Sequence, residues 1–338
     1  MHKVVGLLVG LLIATSGSAF AQDDPAVAPE TARPLSQELI NTADLASLPA
    51  HYSPDIQQPT PDPAIVRLQI LLDRAGASPG VIDGFDGDNV RKAILAFEAM
   101  NGLPADGVLD PEVLSRLGAE PVVGAYTISE DDHKNVTGPT PVDYADKALQ
   151  TYLGFETVAE AVAERFHMDI DLLSHLNPDA SYAVGTQLVV AAPGQPVSDA
   201  KVARIEADKR LRQVRAYDEQ GALIVAYPAT IGSEDNPSPS GTHVVEGVAT
   251  MPDYTYNPSI NFQQGDNTEV LTIPPGPNGP VGTIWIDLSE PTYGIHGTPE
   301  PSLIDKTGSH GCVRLTNWDA EELAKMVSPG VMVDFIDG

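Results

Sequence analysis

The spacing of the apolar residues changes along this chain, and that change limits what the chain can fold into. Over residues 64–118, apolar side chains recur at helical spacing, with Ile65, Leu68 and Leu72 on one face. From about residue 200 onward, short runs alternate or are wholly apolar, and clusters of Gly, Asn, Asp and Pro separate them. Helices and strands bury their apolar faces in different layers. We therefore predict a multidomain protein: a small all-α three-helix module, a small α+β module and a mainly-β domain.

The first 21 residues have the features of a secretory signal peptide. Lys3 precedes the apolar run from Val4 to Ala14, and the small-residue site Ala19-Phe20-Ala21 follows. The run is shorter than the ~20 apolar residues that a membrane-spanning helix needs. We therefore expect an exported, periplasmic protein, and an uncleaved N-terminal anchor is the alternative. Many prolines predict a linker over residues 22–63.

The charge balance narrows the classes of partner. The chain has 19 lysines and arginines against 47 aspartates and glutamates, which gives a formal net charge of −28. Nucleic-acid binding depends on basic side chains that contact phosphates, so nucleic acid is excluded as a partner. The acidity instead suits uncharged or partly cationic targets, and solubility or a salty medium is the alternative explanation.

Residues 64–118 form the helical module, with tight turns between its helices. Asp-Gly pairs supply two of the turns, and Asp110-Pro111 supplies the N-cap and first position of the last helix. The module resembles a peptidoglycan-binding three-helix domain. The residues that carry this resemblance are Leu68-Gln69, Ile82-Asp83-Gly84, Phe97 and Asp106-Gly107. Glu98 stands where that family usually has Gln, and a helical packing domain without a ligand is the alternative.

Residues 124–195 form the second small module. Amphipathic helices are predicted over residues 157–166 and 170–176, with a turn and a strand after them. The order resembles a LysM-like βααβ unit, which is a glycan-binding fold. The segments that carry this resemblance are Tyr126-Thr127-Ile128, Leu176-Asn177-Pro178 and Val184-Gly185-Thr186. A long insertion, residues 129–154, replaces the short stretch of that family, so we expect a linking or scaffolding role.

The only cysteine of the chain, Cys312, lies in the segment Ser309-His310-Gly311-Cys312-Val313-Arg314-Leu315. A single cysteine excludes an internal disulfide, so the apolar cores must hold the fold and the thiol stays free unless it pairs with another chain. A thiolate is the attacking form of cysteine, and a nearby imidazole lowers the thiol pKa or takes its proton. His310 is one such imidazole, and His296, 16 residues before the cysteine (312 − 296 = 16), is another.

The spacing inside this segment also predicts its geometry. If residues 310–314 are extended, His310, Cys312 and Arg314 share one face of the strand. The amides of Gly311 and Cys312 are then placed for a developing oxyanion, and Arg314 for a substrate carboxylate or carbonyl. An inert buried cysteine and a zinc site of His296, His310 and Cys312 are the alternatives, although the zinc site lacks an evident fourth ligand. We expect no metal and no other cofactor.

The region from residue 199 to residue 337 resembles the L,D-transpeptidase (YkuD-type) catalytic domain. His296-Gly297-Thr298 followed by Ser309-His310-Gly311-Cys312 is similar to the family signature, and residues 274–282 are similar to its approach to the site. The histidine precedes the cysteine, whereas papain-like and NlpC-like thiol hydrolases place the cysteine first. The resemblance implies a β-sandwich fold and acyl transfer through a cysteine.

The same resemblance implies roles for individual residues. Cys312 is the expected nucleophile and His296 the expected general base, oriented by a backbone carbonyl because Gly297 stands where some relatives have Ser. Three residues are expected to shape the site and its oxyanion pocket: Ser309, His310 and Gly311. Four are expected to contact substrate: Arg314, Gly297, Thr298 and Tyr254. The long loop from Asp253 to Pro280 is the expected lid.

The implied substrate is the peptidoglycan stem peptide. Attack on the carbonyl between the L-centre of the diamino acid and the terminal D-alanine of a tetrapeptide releases D-alanine and leaves a thioester. The acceptor stays open among a neighbouring stem, a D-amino acid, an outer-membrane lipoprotein and water. The implied roles are cell-wall cross-linking or remodelling and cell shape, with a carbapenem-reactive cysteine. The alternatives are a non-catalytic peptidoglycan-binding protein and an L,D-carboxypeptidase or endopeptidase that uses the same thiol.

Overall fold

The computed structural model describes residues 35–51, 58–194 and 200–337, and all of them belong to one unit, Pro34–Gly338. The predicted signal peptide, residues 1–21, and parts of the predicted linker lie outside the described residues. Within these described ranges, no helix is both long enough and apolar enough to cross a membrane.

The N-terminal region is all-α, as predicted. Its helices are α1 (Gln37–Asn41), α2 (Pro63–Arg74), α3 (Asp88–Met100) and α4 (Pro111–Leu117). Aspartates begin two of them: Asp62 accepts from the N–H of Ala64, and Asp110 accepts from the N–H groups of Glu112 and Val113. Proline occupies the first position of both helices. The buried faces of α2, α3 and α4 meet in one apolar core.

Helix α1 lies within the predicted linker, yet it packs into this core. Ile40 is fully buried, and Leu45, in the short 3₁₀ turn that follows, is buried in the same cluster. The Asn41 side chain accepts hydrogen bonds from the N–H groups of Val122 and Val123, far away in the chain. The prolines of this segment predict a spacer, but its few apolar residues attach part of it to the helical core.

The second module has the predicted order of strand, helix, helix and strand. Its elements are β1 (Val123–Thr127), α5 (Tyr144–Ala148), α6 (Val158–Arg165), α7 (Ile170–Leu176) and β2 (Gln187–Ala191). Strands β1 and β2 pair antiparallel, and α5 belongs to the insertion. The module shares its apolar core with the helical region, and the backbone of Ile82 is hydrogen-bonded to both His167 and Asp169. The two N-terminal modules are therefore packed as one body.

The C-terminal domain is mainly β, as predicted. The strands of its main sheet are β3 (Arg204–Asp208), β4 (Gln213–Tyr217), β5 (Leu223–Pro228), β6 (Thr230–Ile231), β7 (Gly241–Thr250), β10 (Ile284–Leu288), β11 (Gly294–His296), β12 (Val313–Arg314) and β13 (Met332–Ile336). They are ordered β5-β4-β3-β13-β7-β10-β11-β12-β6. The long strand β7 joins two halves, because residues 241–244 pair with β13 and residues 245–250 pair with β10. One core contains residues of both halves, as in a sandwich.

Two further elements position the site. Helix α8 (Asn317–Met326) follows β12 closely, packs against β10 and β11, and begins at Thr316, whose hydroxyl accepts from the N–H of Asp319. Strands β8 (Tyr254–Tyr256) and β9 (Leu271–Ile273) form a separate antiparallel hairpin within the loop predicted as a lid. Just before α8, the N–H of Leu315 donates to the carbonyl oxygen of His296 at the end of β11, and Tyr254 of β8 lines the cavity described below.

Candidate active site

Two neighbouring parallel strands bring the signature residues together. Strand β11 ends at His296, and β12 pairs with it so that His296 is opposite Arg314. Cys312 directly precedes β12 and so lies near Gly294, two positions along β11 from His296. Because side chains alternate along a strand, the thiol and the guanidinium face the same side, and the imidazole lines the same cavity.

His296 is buried and held in one orientation. Its Nδ1 lies 2.7 Å from the carbonyl oxygen of Gly297, and its ring stacks on Trp285 with centroids 5.5 Å apart. A carbonyl only accepts, so Nδ1 carries the proton and the lone pair is left on Nε2. Burial lowers the pKa of His296 to about 4, with a smaller lowering from the charge of Arg314, while the Gly297 carbonyl acts in the opposite direction. The imidazole is therefore neutral at physiological pH.

Cys312 is half-buried, and its thiol is also uncharged. The thiol donates to the carbonyl oxygen of Thr292, with Sγ 3.7 Å away. Burial raises the pKa of the Cys312 thiol, and a backbone hydrogen bond from Gly294 and the charge of Arg314 oppose that rise. The site therefore contains a neutral thiol and a neutral imidazole before any substrate enters. Attack by this sulfur requires its proton to be removed during the reaction.

The residues before the cysteine form a tight turn held by Ser309. The Ser309 hydroxyl donates to the carbonyl oxygen of Cys312 at 2.6 Å, and the Gly311 amide donates to the Ser309 hydroxyl at 3.3 Å. Gly311 has φ +106°, and a Cβ there would lie 2.6 Å from Cε1 of Tyr293. The strand is therefore limited to Val313–Arg314 rather than the whole of residues 310–314. The Gly311 amide has a partner inside the turn, and its contact with an oxyanion stays a prediction.

His310 and Arg314 occupy two other parts of the same site. His310 is exposed and stacks on Phe262, with centroids 3.9 Å apart and planes at 10°. The Arg314 guanidinium donates to the carbonyl oxygen of Gly308. Burial lowers the pKa of Arg314, and the charge of Glu300 opposes that lowering. The guanidinium thus remains a fixed cation near the thiol.

One cavity of about 1120 Å³ contains these groups. Seven of the nine predicted site residues line it: Cys312, His296, Ser309, His310, Arg314, Thr298 and Tyr254. The other two, Gly297 and Gly311, act through the backbone contacts described above. The signature segments and the lid loop therefore meet at one place, although they are separated by up to 58 residues in the chain (312 − 254 = 58).

The cavity also has walls formed by residues that the sequence analysis does not name as site residues. They include Phe262 from the lid loop, Tyr144 and Lys147 from α5, and Glu160 and Glu164 from α6. The aromatic residues Tyr254, Tyr256 and Phe262, close together in a loop rich in Pro and Gly, are a signal that points to Phe262. No pattern near the cysteine points to α5 or α6. As for the zinc alternative, no group of three or more potential metal ligands is found within the described ranges.

Comparison with known proteins assigns the family. The profile of the L,D-transpeptidase catalytic domain (YkuD) matches residues 202–334, and that of a putative peptidoglycan binding domain matches residues 61–117. The putative L,D-transpeptidase YkuD of Bacillus licheniformis is 31% identical over 177 residues, which cover 52% of this chain and 90% of that protein. This chain belongs to the L,D-transpeptidase family. Both of those predicted resemblances are confirmed, and the LysM-like resemblance stays a prediction.

Two further matches to this L,D-transpeptidase are a relative in Escherichia coli and a solved structure. The probable L,D-transpeptidase YbiS of Escherichia coli K12 is 32% identical over 124 residues, which cover 36% of this chain and 40% of YbiS. The crystal structure of the L,D-transpeptidase from Xylanimonas cellulosilytica is 16% identical, with a TM-score of 0.36, and the match covers 84% of this chain and 100% of that chain.

Proposed function

We propose that this L,D-transpeptidase is a periplasmic enzyme that transfers peptidoglycan stem peptides through a thioester on Cys312. The observation that carries the proposal is the placement of Cys312 and His296 at neighbouring parallel strands, facing one cavity. The donor is the tetrapeptide stem, cleaved at the bond between the L-centre of its diamino acid and the terminal D-alanine. The matched peptidoglycan binding domain supports the same substrate.

In the first half-reaction, Nε2 of His296 takes the proton of the Cys312 thiol as the sulfur attacks the carbonyl carbon. The fixed Nδ1–H to Gly297 contact keeps Nε2 free for this role. When the tetrahedral intermediate collapses, the C–N bond breaks and His296 returns the proton to the departing amine of D-alanine. The products are a thioester on Cys312 and free D-alanine.

In the second half-reaction, an amine replaces the thiol. An acceptor amine attacks the thioester carbonyl, His296 removes a proton from the attacking nitrogen, and the C–S bond breaks. The sulfur takes that proton from His296, so the free thiol is restored and an amide bond has formed. Arg314 supports both steps, because its charge lowers the thiol pKa and stabilises the thiolate as a leaving group.

Purified muropeptides test this proposal directly. The protein is incubated with tetrapeptide monomers, and the products are identified by mass spectrometry. We expect release of D-alanine and formation of cross-linked dimers, both absent with Cys312→Ala. Release of D-alanine without dimers would indicate the carboxypeptidase alternative, and added D-amino acids would then reveal whether exchange occurs. Binding of muropeptides without any turnover would contradict the enzymatic proposal and favour a non-catalytic binding protein.

A further inference from the structure

The insertion in the second module forms one wall of the active-site cavity. Tyr144 and Lys147 on α5 line the same cavity as Cys312, and residues 140–142 just before α5 line it as well. This wall does not belong to the C-terminal domain that contains the signature. Substrate bound near Cys312 is therefore also in reach of side chains from residues 129–154.

Helix α5 is held against the lid loop by several contacts. The N–H of Tyr144 donates to the side-chain oxygen of Gln264 at 3.0 Å, and the Asn267 amide donates to the Asp143 carboxylate at 3.2 Å. The Tyr144 ring meets those of Tyr256 and Phe262 edge-on, at centroid distances of 5.2 and 5.9 Å. Phe262 in turn stacks on His310, so α5 is connected to the signature segment by a continuous set of packed rings.

Lys147 lies three residues after Tyr144, on the same face of α5. Its ammonium is 5.9 Å from the centroid of the Tyr144 ring, a cation–π distance. Burial raises the pKa of Tyr144 to about 12, and the nearby positive charge of Arg314 opposes this rise. Tyr144 is thus near both cations, Lys147 and Arg314.

The charge of Lys147 is not neutralised by a direct partner. Within the described part of the chain, no carboxylate oxygen lies within 4.0 Å of the Lys147 Nζ, the distance that defines an ion pair. Burial lowers the pKa of Lys147, while the more distant charges of Glu300 and Glu156 oppose that effect and favour the ammonium form. Glu156 already accepts from the N–H of Thr140. In a chain with net charge −28, this cavity keeps an ammonium whose hydrogen bonds are available to a ligand.

We propose that Lys147 is a specificity-determining residue that binds a free carboxylate of the donor stem peptide. The inference rests on the proposed function, since it assumes that a stem peptide occupies this cavity. The charge of Arg314 acts on the Cys312 thiol, whereas that of Lys147 lies against the Tyr144 ring on α5. We therefore expect Lys147 to bind a carboxylate further from the scissile carbonyl. The inserted segment then selects stems with free side-chain carboxylates over stems in which these groups are amidated. Its role is substrate recognition rather than linkage alone.

Binding measured without turnover tests this inference. In a Cys312→Ala background, the Kd of a tetrapeptide with free internal carboxylates is compared with that of the same peptide with those carboxylates amidated. We expect Lys147→Met to weaken binding of the acid form about five- to tenfold and to leave the amidated form unchanged, since a partly buried charge-assisted hydrogen bond is lost. Lys147→Arg should retain most of the preference. The control Lys134→Met removes an exposed lysine of the same insertion, paired with Asp131, and should change neither Kd.

The outcomes separate this inference from the proposed function. Equal losses for the acid and amidated peptides, or no loss for either, would overturn the role of Lys147 even if the wild-type enzyme cross-links muropeptides. Failure of the acid peptide to bind the Cys312→Ala protein would overturn it as well. A preference for the acid form that disappears in Lys147→Met supports it, whether or not the wild-type protein shows turnover.

Discussion

At the residue scale, burial controls the chemistry of the proposed catalytic pair. The same desolvation that raises the pKa of the Cys312 thiol lowers the pKa of His296 to about 4. A thiolate–imidazolium pair is therefore disfavoured before substrate binds, and His296 is a competent base from about pH 5 upward. Its charge state changes well below the pH range in which an exposed histidine titrates.

This arrangement predicts the pH dependence of acylation. With the wild-type protein, the rate of Cys312 acylation by a carbapenem should be nearly constant from about pH 5.5 to 8, because the neutral base is present throughout. With His296→Ala, acylation depends on pre-formed thiolate, so its rate should rise about tenfold per pH unit in that range. Intact-mass spectrometry of the adduct against time measures both. An inflection of the wild-type rate near pH 6.5, or a flat profile in the variant, would contradict the assignment of His296 as base.

Gly311 gives a second prediction at the residue scale. Gly311→Ala should lower the free energy of unfolding by roughly 2–4 kcal/mol, because it combines an unfavourable positive φ with a Cβ 2.6 Å from the Tyr293 ring. The matched control is Gly330→Ala, with φ +96° and nothing within 4 Å of the added carbon, for which roughly 1 kcal/mol is expected. Urea unfolding measures both. Equal losses would show that the contact with Tyr293 contributes nothing.

At the element scale, the sequence predicts those parts of the site that depend on local spacing. The signature around Cys312 and the upstream His296 are read directly from the chain, and both end on neighbouring strands. Phe262 and Lys147 are not predicted as site residues. They are 50 and 165 residues before Cys312 in the chain (312 − 262 = 50; 312 − 147 = 165), and only the packing of their segments brings them to the cavity. A pattern with period 2 or 3.6 shows on which face of a strand or helix a side chain lies, but it does not show which other segment packs against that face.

The contact between α6 and α8 leads to a prediction about pH and stability. The Asn317 amide donates to the Glu164 carboxyl group at 2.6 Å. Burial raises the pKa of Glu164 from 4.5 to about 8. The hydrogen bond from Asn317 and the charge of His167 oppose this rise, and the charges of Glu321 and Glu160 add to it. The folded protein therefore holds a proton that the unfolded chain releases above about pH 4.5. The free energy of unfolding should fall as the pH rises from about 4.5 through 8.

Glu164→Gln removes this proton from the equilibrium while its amide oxygen still accepts from Asn317. The variant should match the wild type near pH 5 and exceed it by roughly 2 kcal/mol at pH 8.5. Urea unfolding at both pH values measures the difference. The exposed Glu130→Gln should leave the pH dependence as it is in the wild type. A constant difference between Glu164→Gln and wild type at the two pH values would refute the buried-proton explanation.

At the scale of the whole molecule, the sequence predicts the classes of the three folded regions but not how they join. The helical region and the second module share one core, and backbone hydrogen bonds connect Ser78 and Gly76 with Ala226 of the C-terminal domain. These contacts join residues about 150 positions apart (226 − 78 = 148). Their spacing leaves no periodic signal in the chain, so the sequence alone predicts separate modules.

A buried ion pair allows this joining to be tested. Lys92 on α3 contacts Asp305, in the loop before the signature, and their side chains are only 10% and 5% exposed. Asp305 also forms an ion pair with Arg212 at 2.7 Å. Lys92→Met therefore leaves the buried Asp305 carboxylate with Arg212 as its remaining partner, and it should lower the free energy of unfolding by roughly 2–3 kcal/mol. The exposed pair Lys134–Asp131 is the control, and Lys134→Met should cost under roughly 0.5 kcal/mol.

If the modules and the C-terminal domain unfold as one unit, Lys92→Met shifts a single calorimetric transition. Two transitions, of which the substitution shifts only one, would show that they unfold independently.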